Sequence, residues 1–106
     1  MQYSYFIKKN FDFIQDNGYL IYPNGHQLYK KTGNFEVLIT DYTGEKIFFE
    51  RLVLIDVWIK DSFTDIIKYR KIYKGSIFYP QMKRIERKIN KKIIELERKR
   101  VISDNE

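Results

Sequence analysis

Arg51-Leu52-Val53-Leu54-Ile55-Asp56-Val57-Trp58-Ile59-Lys60 is the stretch on which the fold turns. Seven of these ten residues are apolar. Their β-branched content argues for a strand, while the length and near-continuous apolarity also suit a buried helix. Both readings stand at this point, and the flanks set what each would join. Upstream, Phe35 to Asp41 alternates, with Phe35, Val37 and Ile39 on one face and Glu36, Leu38 and Thr40 on the other. That is the pattern of a half-buried strand. Thr43-Gly44-Glu45 reads as a turn, and Lys46 to Glu50 as its return strand.

Further upstream, Tyr19 to Tyr22 and His26 to Lys31 read as strands joined at Pro23-Asn24-Gly25, because Asn-Gly tolerates positive φ. Thr32-Gly33-Asn34 is another turn. Tyr3 to Gln15 carries Phe6, Ile7, Phe11 and Ile14 at helical spacing, and Asp16-Asn17-Gly18 stops that helix. Downstream, Asp61 or Ser62 caps a helix reaching about Lys74, with Asp65 completing a capping box and Gly75 ending it. Ser76 to Tyr79 is a short extended connection. Pro80 opens a terminal helix, where a missing amide donor costs nothing.

That last helix, Pro80 to Arg100, repeats Met82, Ile85, Ile89, Ile93 and Leu96 along one narrow stripe. It holds nine Lys or Arg against three acids, a surplus equal to the formal +6 of the whole chain. Arg84, Arg87, Lys91 and Arg98 lie opposite the stripe. The expected architecture is α+β in one domain over residues 1–102, with a polar tail at 103–106. It comprises an N-terminal helix, a small antiparallel β-meander, one or two further helices and a long basic C-terminal helix.

Composition narrows the class of function. The chain has 106 residues, nine Tyr, eight Phe and one Trp, so a small core can be rich in large rings. It has no cysteine, which removes disulfides, thiolate metal sites and cysteine nucleophiles, and suits a reducing bacterial cytoplasm. Alanine is absent while Lys, Ile, Tyr and Asn abound, the codon bias of an AT-rich genome such as a low-GC bacterium or its phages. No run approaches the roughly 20 apolar residues of a membrane span, and Met1 to Asn10 lacks the pattern of a signal peptide. A pI near 9.4 points to acidic partners.

Tyr22-Pro23-Asn24-Gly25, Leu28 to Gly33, Asp41 to Lys46, Glu50 to Val53 and Val57 to Ile59 follow one another in a suggestive order. Over about 40 residues this resembles the DNA-binding modules attached to HNH homing endonucleases of phages and mobile elements. The resemblance implies a helix over Arg51 to Lys60 and DNA as the partner. It also implies no nuclease activity, because Glu50 stands where the family has histidine and His26 is the only histidine in the chain.

No enzyme constellation competes with this. His26 alone cannot assemble a metal site, and reads best as an exposed turn residue. Asp56, Asp61 and Asp65 could hold a metal, but Asp61 and Asp65 read as helix N-terminal charges. Asp56 needs a partner such as Arg51 or Lys60 if buried. Gly33 and Gly75 lack phosphate-loop spacing, so no cofactor is expected. Tyr69, Tyr73, Phe78 and Tyr79 interleave with Lys68, Arg70, Lys71 and Lys74, a pattern of base stacking or of core packing.

The expectation is a non-enzymatic, basic protein that contacts nucleic-acid phosphates through Arg84, Arg87, Lys88, Lys91, Lys92 and Arg98. Lys30, Lys31 and Lys46 form a secondary patch. The alternative is a phage-type accessory that inhibits a host protein machine, as anti-CRISPR proteins do. In either case the chain is expected to be a monomer or weak homodimer with no membrane partner.

Overall fold

The computed structural model describes residues 2–41, 52–61, 66–74 and 82–104. Two short helices, α1 (Tyr5–Lys9) and α2 (Phe11–Asp16), precede five strands. These are β1 (Leu20–Ile21), β2 (Gln27–Thr32), β3 (Phe35–Asp41), β4 (Leu52–Asp61) and β5 (Ile66–Lys74). A long helix, α3 (Met82–Asp104), follows. The strands form one antiparallel sheet in sequential order, β1-β2-β3-β4-β5. The chain is therefore α+β, a meander with helices on one side.

The deciding stretch is a strand. Val53, Ile55, Val57 and Ile59 are β-branched at every second position, a period no helix face can use. Ile55, Val57 and Ile59 point into the core, while Trp58 is half-buried and Lys60 exposed. The helix implied by the HNH-type resemblance is thus absent from Leu52–Asp61. The same strand corrects the expected hairpin. β3 pairs with β4 from Phe35 opposite Asp61 to Asp41 opposite Ile55, and with β2 on its other edge. Both edges of β3 are taken by β2 and β4, and the expected return strand over Lys46 to Glu50 lies outside the described residues.

The helix expected up to Lys74 is a strand as well. β5 pairs with β4 from Lys60 opposite Ile66 to Leu52 opposite Lys74. Ile66, Ile67, Tyr69, Ile72 and Tyr73 are strand formers, and pairing satisfies the open backbone edge of β4. Asp61 is consequently the last residue of a strand and not a helix cap. The calls at Thr43-Gly44-Glu45, Ser62, Asp65, Gly75, Ser76 to Tyr79 and Pro80 lie outside the described residues.

The N-terminal helix breaks in two at Asn10. The Asn10 side chain amide donates to Phe6 O at 2.9 Å, ending α1, and its Oδ1 accepts from the Met82 amide at 2.9 Å. One side chain thus closes the first helix and caps the last. The glycine turns hold. Gly18, at φ +77°, follows α2 where the stop was expected. Gly25, at φ +78°, lets Gln2 O approach so closely that a Cβ would sit 2.1 Å from it. At the terminus, α3 continues through Ser103 and Asp104, two residues into the expected tail.

All three helices cover the same sheet face. Phe6, Ile7, Ile14, Met82, Ile85, Ile89 and Ile93 join Leu28, Phe35, Val37, Ile39, Ile55, Val57 and Ile59 in one core. Each such fully buried side chain contributes about 1.5–3 kcal/mol relative to exposure. The opposite face of the sheet carries Tyr29, Leu38 and Trp58, all half-exposed.

Candidate nucleic-acid interface

The expected stripe of α3 is buried. Met82, Ile85, Ile89 and Ile93 are at most 8% exposed, and Leu96 packs against them. Burying that seam fixes the rotation of the helix about its axis. Lys83, Arg84, Arg87, Lys88, Lys91, Arg98 and Lys99 consequently face solvent, with Lys92 half-exposed beside Glu95 at 3.8 Å. Among the described side chains of α3, Glu95 and Glu97 are the exposed acids set against these eight cations. Arg84 to Arg98 spans about 21 Å at 1.5 Å per residue. That is the length of roughly six phosphates along one strand of a duplex, at 3.4 Å each.

Glu86, the third acid of the helix, points the other way. It sits four residues after Met82 and three before Ile89, so it belongs to the buried seam. Its Oε1 accepts from Lys30 Nζ at 2.6 Å, and its Oε2 accepts from the Tyr19 hydroxyl. The same ammonium lies 4.7 Å from the centroid of the Tyr19 ring. Burial, then the hydrogen bond to Glu86 and the Glu86 charge, push the Tyr19 hydroxyl well above its ordinary range.

This corrects the secondary patch. Lys30 is held beneath α3 with its side chain 18% exposed, so its charge is directed at Glu86 and not at solvent. Lys31, one position on, falls on the opposite face and is exposed. Lys46 lies outside the described residues. The structure therefore gathers Arg84, Arg87, Lys88, Lys91, Lys92 and Arg98 on one helix and sets Lys31 on the far side of the sheet.

That far side holds a feature the sequence reading missed. Tyr22, Tyr29, Leu38, Trp58, Glu36 and Lys60 line an open cleft of about 250 Å³. The Tyr29 hydroxyl donates to Glu36 Oε1 at 2.7 Å, and that bond raises the Tyr29 pKa, helped by desolvation and the Glu36 charge. Tyr22 and Tyr29 stand with ring centroids 6.5 Å apart. The signal was present, since Tyr22 abuts the Pro23-Asn24-Gly25 turn and Trp58 alternates with the core residues Val57 and Ile59. The aromatics weighed instead were on other segments. Register sets Tyr69 and Tyr73 opposite Val57 and Val53, and Phe78 and Tyr79 lie outside the described residues.

The carboxylates do not converge. Asp56 and Asp61 are buried on opposite faces of β4. Lys60, four residues along the strand from Asp56, is about 13 Å away at strand rise and out of reach as its partner. Register instead places Asp56 opposite Thr40 and Arg70. Among the described residues no group of three His, Asp or Glu could hold a metal. His26 is half-buried, not an exposed turn residue, and its Nδ1 has no partner among the described residues. No helix among them is long and apolar enough to cross a membrane. No protein-family model, curated protein or solved structure matches the chain.

Proposed function

We propose that this chain is a small, non-enzymatic nucleic-acid-binding protein of phage or mobile-element type, working in a bacterial cytoplasm. It grips phosphates through the outer face of α3. The observation that carries this is the fixed rotation of that helix. Its apolar seam is consumed by the core, leaving Arg84, Arg87, Lys91 and Arg98 aligned in solvent. Lysines and arginines so placed release counterions condensed on a polyanion, which gives affinity without base recognition. Fluorescence anisotropy with labelled duplex DNA across a salt series tests this. Binding should fall linearly in log salt, and reversing Arg87 and Lys91 to Glu should reduce the slope by about 1.8. Unchanged affinity in that variant would sink the reading.

One observation favours a second reading. Ile94 is 48% exposed on the cationic face, three residues after Lys91 and four before Arg98. An apolar side chain there suits an acidic protein groove better than a phosphate backbone. A phage-type inhibitor of a host nucleic-acid machine would form a stoichiometric complex, lose it on Ile94→Asp, and show little affinity for free DNA or RNA.

A further inference from the structure

We propose that the outer face of the sheet is a second binding surface, a stacking site for the bases of single-stranded nucleic acid. This rests on the reading of the chain as a nucleic-acid binder, and it names a strand state that the helix alone does not select. The two surfaces lie on opposite sides of the molecule, because α3 covers the inner face of the sheet.

Three observations point to this occupant. First, aromatic surface reaches solvent here: Tyr22 is 36% exposed, and Tyr29 and Trp58 are partly exposed, while their inner-face neighbours are buried. Flat aromatic surfaces take unpaired bases, whose faces are free, and not a duplex, whose bases are stacked on one another. Second, the cleft is small. Its 250 Å³ falls below the roughly 300–1,000 Å³ of sites that enclose a drug-sized ligand, which suits one planar ring on an extended strand. Third, the charge is complementary to a phosphate backbone. Lys31, Glu36 and Lys60 occupy directly opposed positions on β2, β3 and β4. The one acid of this row is flanked by two exposed lysines and engaged by Tyr29. Register adds Lys68 opposite Trp58.

Trp58 is the sole tryptophan of the chain, so its fluorescence, excited beyond the absorption of the nine tyrosines, reports this site. The experiment titrates the full chain with a short oligothymidylate and, separately, with duplex DNA. The oligothymidylate should quench Trp58 saturably, and duplex should bind by anisotropy with little quenching. Tyr22→Ala should weaken oligothymidylate binding by about fivefold or more while leaving duplex affinity unchanged. Tyr22→Phe, which keeps the ring, should restore it. Arg87→Glu with Lys91→Glu should do the reverse, weakening duplex binding and sparing the quench.

Oligothymidylate that binds without quenching Trp58, or equally well to Tyr22→Ala, overturns the stacking site and leaves the helix reading intact. Failure of every nucleic acid to bind overturns both. Quenching by a captured protein, with none by the oligothymidylate, assigns the face to a protein partner and overturns the proposal too.

Discussion

Lys30 and Arg87 show how far two cations of one chain can differ. Lys30 has Glu86 at 2.6 Å and the Tyr19 ring beneath it, whereas Arg87 is exposed. Replacing Lys30 by Met leaves the buried Glu86 carboxylate without its cation. Water reaches the lysine, so the cost should fall below that of a fully buried broken pair and match an unsatisfied buried group, about 2 kcal/mol. Urea unfolding should show that loss, while the salt slope of duplex binding stays as it was. Arg87→Gln should do the opposite, reducing the slope by about 0.9 with no measurable change in stability. If Lys30→Met lowered the slope instead, its assignment to the fold would be wrong. Tyr19 adds a pH dependence. Its folded pKa is raised above the ordinary 10.0, so the folded state holds the phenolic proton more tightly than the unfolded chain does. Below pH 10 that contribution is constant. Above it the unfolded phenol ionises first, and stability is lost as pH rises, by up to about 1.4 kcal/mol per unit. Tyr19→Phe should begin less stable at pH 9, yet lose less between pH 9 and pH 11. The gap between the two proteins should narrow by roughly 1 kcal/mol, and a gap that stays constant would count against the raised pKa.

At the scale of the element, the sequence was most legible where one period ruled. The seam of α3 and the alternation of β3 each repeat over several residues, and the structure buries the same side chains. Glu86 was equally legible in principle, since an acid at helical spacing within an apolar seam implies a buried partner. The strand β4 could have been read from its alternate β-branched positions, but near-continuous apolarity masked the period. β5 was misread because Ser62 and Asp65 mimic a capping box, a local signal outweighed by the unpaired edge of β4. The break at Asn10 has a local part, the bond from its amide to Phe6 O. Its other partner is 72 residues away, at the first amide of α3, and nothing near Asn10 in the sequence announces it. Asn10→Ala should therefore destabilise the protein by about 1–2 kcal/mol, as a lost helix cap does. Hydrogen exchange should show the gain in opening at the first turn of α3 as well as at Phe6 and Asn10. Protection unchanged at Met82 would mean that the cap contributes nothing.

The molecule extends 52 × 27 × 20 Å, and its last helix has 23 residues, about 35 Å of length at 1.5 Å per residue. Past Leu96 the described side chains, Glu97, Arg98 and Lys99, are all exposed. The candidate surfaces differ in how much of the fold they need. The cationic face of α3 is written in one contiguous segment, which is why the sequence displayed it. The aromatic cleft draws Tyr22, Tyr29, Leu38 and Trp58 from four parts of the chain, and only the strand order brings them together.

The cover supplied by α3 also has a consequence for biosynthesis. A ribosome makes β1 to β5 before residues 82–96, so Leu28, Val37, Ile39, Ile55 and Val57 lack the part of their cover that α3 supplies until those residues leave the exit tunnel. During that interval the nascent chain presents the kind of greasy surface that chaperones hold and that neighbouring chains stick to. A premature stop ahead of Met82 would make the exposure permanent, so a message broken there yields a substrate for proteases and not a smaller working protein.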